Sequence, residues 1–509
     1  MLPACRVKAF TASLMIDTRI SQSVDASLAA FTASGRDDPF HSQRNGEPEA
    51  ASHPDFPVSQ VGISLGSLKF PKLLEEISRA VTLYSSEMSL NILVVGAGIC
   101  GPAFATLLQR SNPKHKITIL ERFDSLRTSG QQVDLKTQAP HILRKMGLME
   151  TIKAHCVNET GLEMVDSTDK QVSYFPAAGA GERRPGLTSE HEIMRGDMVQ
   201  VLYNASVEQN AALKPLIGSQ GGILYRFGEI ITALHQHPDG VDVTFSDGKR
   251  QGFDLVVAAD GQGSRTRRLA FGEEVSDAAF RSLGIHGAYF SIPRIESEGS
   301  LARGHLAPGR RMIMTRTSDR PVTGVLLFAM EQSERLRASY KESQETQKRA
   351  FLEMFKNIEW QTDRLIEGLR NSNDFYAHEL GQIKMSQLST GRVVLLGDAG
   401  YCPSPFTGLG TNLCLMGAYI LAGELARHRS DVKGALKSYE DVMRPFIDDC
   451  QRFSAGSLGL FFPNSRLGVW SMGKIMWAVS KVNGLFPQFQ KVDNHDGCIP
   501  EYPELKLKG

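Results

Sequence analysis

Residues 92–101 read Ile92-Leu93-Val94-Val95-Gly96-Ala97-Gly98-Ile99-Cys100-Gly101, and this stretch decides the fold. Four aliphatic residues directly before a glycine turn read as a short strand buried on both faces. The residues that follow, Pro102–Arg110, have helical spacing. Each glycine of this G-x-G-x-x-G has its own task. Gly96 permits the tight turn, Gly98 lets main chain approach a pyrophosphate, and Gly101 lets helix and strand pack closely. The helix start behind them aims free N–H groups and the positive end of its dipole at a phosphate. A second strand, Lys116–Leu120, leads to Glu121. That acid stands 121 − 101 = 20 positions beyond Gly101, where an acceptor for a ribose hydroxyl belongs.

Outward from this unit, strands and helices alternate, which predicts a parallel sheet with crossover helices. Ala139–Met146 and Met198–Asn210 read as helices. Val241–Phe245 and Leu255–Ala258 read as strands. Residues 281–330 have β character, with strands expected at Ile285–Ile292, Arg311–Thr315 and Thr323–Ala329. Residues 333–356 are charged and helical. Helices return after the strand Val393–Leu396 and run to about Phe489.

Two further strands end in chemistry. Leu255–Ala258 runs into Ala259-Asp260-Gly261, a place where open α/β sheets put ligand contacts. Val393–Leu396 runs into Gly397-Asp398-Ala399, followed by Pro403, Pro405, Gly408, Gly410 and Asn412. There Asp398 is set to accept a hydroxyl, and a helix starting near Thr411 offers main-chain donors to a developing anion.

The bulk composition narrows the function. A net charge of +1 in 509 residues excludes the basic face of a nucleic-acid binder. The apolar runs at Leu413–Ala426 and Leu467–Ser480 fall short of the ~20 residues that span a bilayer. Seven cysteines without a C-x-x-C pair argue against a zinc site or a disulfide framework and for free thiols in a reducing compartment. No metal site is expected. Residues 1–87 lack strong periodicity, apart from a weak helical patch around Leu73 to Leu83, and lack a signal-peptide core. They read as a disordered or dispensable extension, with a mitochondrial presequence as the lesser alternative to a cytoplasmic protein.

The three strand ends, in this order, resemble those of the group A flavoprotein monooxygenases, the family of para-hydroxybenzoate hydroxylase and the tetracycline-inactivating monooxygenases. The likeness runs from Met88 to Arg444. It rests on G-A-G-I-C-G, Glu121-Arg122, G-Q-Q-V-D-L at 130–135, I-M-R-G-D-M at 193–198, Asp260-Gly261 and G-D-A…G-L-G-T-N at 397–412. The last stretch looks especially like monooxygenases of fungal secondary metabolism.

The resemblance implies a Rossmann-like FAD-binding domain from 88–160, 191–280 and 386–445. It also implies an inserted β-sheet substrate domain from 161–190 and 281–385, and a C-terminal helical region at 446–509. It implies FAD as cofactor, held by Gly96, Gly98, Gly101, Glu121, Arg122, Gly130, Arg195, Asp260, Asp398, Gly408, Gly410 and Thr411. Glu121 holds the adenosine ribose, Arg122 lies beside the adenine, Arg195 reaches the phosphate–ribityl region, and Asp398 takes the ribityl chain. Asp260 lies by the pyrophosphate and the nicotinamide access route.

The implied reaction is hydroxylation or epoxidation of an aromatic polyketide or terpenoid with O2 and NAD(P)H as transient co-substrates, through a flavin C4a-hydroperoxide. An FAD-dependent reductase on the same fold and a non-catalytic FAD-bound sensor are the alternatives. No catalytic base is named, and His286, Tyr289 and Arg316 read as structural residues of the substrate sheet. Two departures from the family pattern stand out. Gly400-Tyr401 replaces an Ala-His pair, and Gly417-Ala418 replaces an acidic position. The Met- and Trp-rich helices after Arg444 read as core, with a tunnel cover or a membrane-surface contact as the sharper alternative.

Overall fold

The computed structural model describes residues 89–177, 191–217, 221–317, 320–452, 458–481 and 499–507. The expected extension at 1–87 and the end of the helical run beyond 481 lie outside the described residues.

A six-stranded sheet carries the sequence order Ser389–Thr390, Val393–Leu395, Leu255–Ala258, Asn91–Val95, Lys116–Glu121, Gly222–Phe227 from edge to edge. Its central pairings are parallel, with Val95 opposite Ala258 and Ala258 opposite Leu395. Both faces of this sheet are covered, which is why its strands are continuously aliphatic. The helix Cys100–Ser111 buries every residue from Cys100 to Gln109. It lies against the helices Gly410–His428 and Arg195–Ile217. Phe104, Leu107 and Leu108 are fully buried, each contributing about 1.5–3 kcal/mol.

A second, seven-stranded sheet runs Tyr376–Ile383, Phe280–Pro293, Val322–Met330, Arg311–Thr317, Leu301–Ala307, Gly161–Val165, Gln171–Pro176. All its pairings are antiparallel except that of Leu301–Ala307 with Gly161–Val165. Strand alternation splits its side chains in two. Ala288, Phe290, Ile292, Val325 and Leu327 pack with Phe351, Phe355, Leu365 and Leu369 of two helices. Tyr289, Leu326, Phe328, Met312 and Met314 form a cluster of their own. The expected α/β class with its second β-sheet is therefore present.

Three expectations need correction. The helix read as Met198–Asn210 is Arg195–Ile217. It begins at once after the strand Glu192–Met194, because Gly196 is not a break: its Cα packs against the Thr128 main chain with no room for a side chain. The edge strand Gly222–Phe227 was not read, since its outward residue Leu224 is exposed and hides the pattern. Finally, the cysteines do not all keep free thiols. Cys100 and Cys414 form a disulfide across 314 residues, with Cα atoms 5.6 Å apart. No spacing rule detects this pair, because it arises only when two buried helices pack side by side. Cys402 and Cys450 remain free thiols among the described residues.

Candidate cofactor and substrate site

Because Asn91–Val95, Leu255–Ala258 and Val393–Leu395 are parallel neighbours, the turns that follow them open at one edge of the sheet. Gly96 adopts φ +114°, and a Cβ there would strike the Ala259 carbonyl. A Cβ on Gly101 would strike the Gly96 carbonyl. Gly98 differs: the only atom near its Cβ position is Nη2 of Arg195, at 3.5 Å. That open glycine surface under a guanidinium is a cradle for a phosphate group. Glu121 fastens the turn, with Oε2 accepting from the Ala97 amide at 3.0 Å and Oε1 from the Phe123 amide at 3.2 Å.

Arg195 is aimed by its surroundings. Its amide donates to the Gln131 carbonyl at 3.0 Å, and its Nη1 donates to the Ser129 carbonyl at 3.2 Å. Its stem crosses Gly130, which has φ +139° and whose Cβ would lie 2.8 Å from Arg195 Cδ. Arg127 joins this cationic group, its guanidinium held below the usual arginine range by burial and by Arg195. Arg122 instead lies over the Phe123 ring at 4.8 Å.

On the third turn, burial pushes the Asp398 carboxyl above its ordinary range, opposed by the Cys402 thiol and Arg195. Gly397 has φ +66° and lies against Cys100, so the first and third turns touch. A Cβ on Gly410 would have only Asp398 Oδ1 nearby, at 3.9 Å. Gly408, with φ +63°, faces Asp134 and Lys136, 3.4 and 3.8 Å from its Cβ position. The helix start at Gly410-Thr411 is fixed by Asn412, whose Oδ1 accepts from the Lys136 amide at 2.9 Å. Two open glycines, a helix start and a buried carboxyl make a second cradle, one that suits a polar ring edge and a polyol chain.

Asp260 is turned inward. Its Oδ1 accepts from the Ser264 hydroxyl at 2.5 Å, and its Oδ2 accepts from the Thr266 amide and hydroxyl at 3.1 and 2.9 Å. In this structure it anchors the Arg265–Phe271 helix beside Gly96.

The second face of the large sheet meets this edge through aromatic rings. Tyr289 stacks on Tyr376 at 4.7 Å and on His378 at 5.6 Å. It meets Phe328 edge-on at 5.9 Å. Phe328 lies 5.7 Å from Phe406 of the glycine loop, and Phe406 lies 6.4 Å from Phe462. Arg127 caps the Tyr376 ring at 5.2 Å. Burial and the Arg127 charge depress His378 to about 4, so it is neutral at ordinary pH. His286 is tied to Tyr340 and to the Glu331 carbonyl, in keeping with a structural role.

Several residues of this region escaped sequence reading: Arg127, Asp134, Lys136, Tyr376, His378 and Phe406. Asp134 is the aspartate of the G-Q-Q-V-D-L stretch and Lys136 follows it directly, and that was the available signal. Tyr376 and His378 had none, because cross-strand pairing with Tyr289 is what brings them in. Concavity alone would have misled. An open cleft of about 650 Å³, lined by Ser386, Gln387, Lys433, Lys437 and Glu440, contains none of these residues. No cluster suited to a metal ion occurs among the described residues, and none of their helices is long and apolar enough to cross a membrane.

Residues 89–454 match the family described as FAD binding domain. The chain is 38% identical over 425 residues to the FAD-dependent monooxygenase asL6 of Sarocladium schorii, covering 83% of this chain and all of that one. It is 34% identical over 402 residues to the flavin-dependent monooxygenase eupH of a Phoma species, covering 75% and 90%. Among solved structures it is similar to the tetracycline destructase Tet(51), with a TM-score of 0.63 and 28% identity over 78% of this chain and 98% of that one.

Proposed function

This chain belongs to the FAD binding domain family and is an FAD-dependent monooxygenase, and from that premise we propose that it inserts one atom of O2 into an aromatic polyketide or terpenoid with NAD(P)H as electron donor. The balance is substrate, O2, NAD(P)H and a proton giving oxygenated substrate, water and NAD(P)+. When bound, the flavin supplies the electron transfer and the activation of O2. The protein supplies position, charge and dryness.

Gly98 and Arg195 take the pyrophosphate, with Gly96 and Gly101 shaping the turn. Glu121 orders the turn and faces the adenosine ribose, Arg122 lies toward the adenine, and Gly130 lets Arg195 pass. Asp398 accepts from the ribityl chain. Gly410 and Thr411 present main-chain donors to the pyrimidine edge, Gly408, whose amide donates to the Pro405 carbonyl at 3.1 Å, shapes the loop, and Asp260 holds the neighbouring turn. The flavin then belongs to the unit formed by 88–160, 191–280 and 386–445, and the substrate to 161–190 and 281–385. The aromatic face from Tyr289 to Phe462 receives an apolar, ring-bearing substrate. The reaction belongs to a compartment that supplies NAD(P)H, the cytoplasm before the mitochondrion.

The observation that carries this reading is the open Gly98 surface beneath the Arg195 guanidinium, at the same sheet edge as Asp398. The test is to purify the protein, record its flavin spectrum, and screen aromatic polyketides and terpenoids for stimulated NAD(P)H oxidation with O2 uptake. A product heavier by one oxygen is expected. NAD(P)H oxidation and substrate reduction without O2 uptake would instead make it a reductase. A folded protein that is colourless and takes up no FAD would end the proposal.

A further inference from the structure

Residues 450–492 contain no aspartate or glutamate and five cations, Arg452, Arg466, Lys474, Lys481 and Lys491. The whole chain has 56 acids in 509 residues, so 43 residues without one is a marked asymmetry. Within the run lies the helix Arg466–Lys481, which buries none of its residues. Of the fourteen large apolar side chains exposed among the described residues, seven fall between 460 and 479. Trp470 and Trp477 are 61% and 51% exposed, whereas the third tryptophan, Trp360, is 1% exposed. Leu467, Trp470, Lys474, Trp477 and Lys481 follow one another at intervals of three and four, which makes one stripe of the helix. Lys474 Nζ lies over the Trp470 ring at 5.7 Å. The opposite side rests on the strand Gln171–Pro176, where Gly473 meets Val172. That strand carries no charged residue.

Charge and length choose the occupant. A sixteen-residue helix is about 24 Å long, too short to cross a bilayer core of about 30 Å, and its lysines oppose insertion. Self-association through this stripe would bring Lys474 and Lys481 of two copies together, with no acid on the helix to neutralise them. Among the described residues the one acid paired to the helix, Glu359 with Arg466 at 2.8 Å, is a surface contact with both side chains mostly exposed, and such pairs contribute little. Exposed tryptophans among lysines match a surface of apolar interior and anionic headgroups.

We propose that the Arg466–Lys481 helix is an interfacial anchor that lies on anionic membrane, with Leu467, Trp470 and Trp477 at the acyl boundary and Lys474 and Lys481 among the headgroups. The same segment starts in the aromatic face, where Leu458 and Phe462 pack against Tyr289 and Phe328. The anchor thus joins the proposed substrate face to the phase in which an apolar substrate dissolves.

The test uses the full-length protein with vesicles of phosphatidylcholine alone or with phosphatidylserine. Cosedimentation with the anionic vesicles is expected, weakened by salt, with the Trp470 and Trp477 emission shifting to the blue. Lys474→Gln with Lys481→Gln should lower the partition coefficient about 30-fold, each cation contributing about fivefold. Trp470→Ser with Trp477→Ser should abolish the emission shift and leave flavin content unchanged. Flavin content on the same samples keeps this result separate from the cofactor reading. Absence of binding to anionic vesicles would overturn the anchor. So would equal, salt-insensitive binding to neutral vesicles, or a dimer in lipid-free sedimentation that Trp470→Ser dissociates.

Discussion

The hydroxyl of Tyr401 occupies the space that a side chain at Gly417 would need. Tyr401 is fully buried, its hydroxyl shares a hydrogen bond with Tyr439 at 2.9 Å, and Tyr439 in turn donates to the Leu395 carbonyl at 3.1 Å. Burial pushes the Tyr401 phenol up to about 12, so it is a neutral structural group. The two departures from the family pattern, at 400–401 and at 417–418, are therefore one packing arrangement, a large ring on the strand side answered by a glycine on the helix. Alanine normally stabilises a helix interior relative to glycine by about 1 kcal/mol. Here Gly417→Ala should instead destabilise by about 1–3 kcal/mol. In a Tyr401→Phe background the same change should cost less, the remaining neighbours being the ring edge at 3.2 Å and Leu396 at 3.1 Å. Urea unfolding of the four proteins of this cycle measures the coupling, expected at about 1 kcal/mol or more; simple additivity would refute it.

The Gly98–Arg195 cradle predicts cofactor affinity without disturbing the core. Arg195→Ala removes a charge-assisted contact to phosphate that is worth about 1.5–3 kcal/mol, so FAD affinity should fall roughly 10- to 150-fold. Flavin-fluorescence titration of the apoprotein reads this directly. Arg122→Ala, whose guanidinium lies over Phe123, should cost several-fold less. Equal losses for the two would place the pyrophosphate elsewhere.

The nucleotide half of this site was legible because local chain geometry makes it. A strand, a tight turn and a helix start are consecutive, so Gly96, Gly98, Gly101 and Glu121 can be placed from spacing alone. Asp398 was legible as an acceptor at a strand end, whereas Arg195 needed the family resemblance, since it approaches Gly98 only through tertiary packing. The aromatic face was not legible. Tyr376 reaches Tyr289 by cross-strand register, and Phe406 reaches Phe328 from a loop whose sequence reads only as proline and glycine punctuation. The Cys100–Cys414 pair was read wrongly for the same reason, because contacts between distant helices leave no periodic trace.

The contact of Phe328 with Phe406 couples the substrate sheet to the glycine loop. Phe406→Ala removes a half-buried ring and so should leave stability within about 1 kcal/mol. It should raise the KM for an aromatic substrate about tenfold, consistent with the loss of ~1.4 kcal/mol of ring contact. Loss of cover at the loop should also divert NAD(P)H consumption into peroxide. Comparing O2 uptake with product formed checks this. An unchanged KM and unchanged coupling would remove Phe406 from the substrate face.

A buried ion cluster makes folding pH-dependent. Arg316 donates to Glu159 at 2.7 and 3.0 Å and also to Glu192. The second oxygen of Glu192 has no hydrogen-bond partner among the described residues. Burial raises the Glu192 carboxyl to about 7, with the Glu159 and Asp134 charges adding to the effect against the pull of Arg316. The folded form thus binds a proton that the unfolded chain, with an ordinary glutamate, has released. The associated stability is complete below the ordinary carboxylate range and is lost as pH rises through about 7. Glu192→Gln should flatten this slope and make the protein more stable than the parent above pH 7, on the order of 1–2 kcal/mol. Arg316→Met should cost about 3–5 kcal/mol, because it strands two buried carboxylates. Thermal unfolding across pH 5 to 8 measures both. Parallel slopes for the parent and Glu192→Gln would show that Glu192 does not hold that proton.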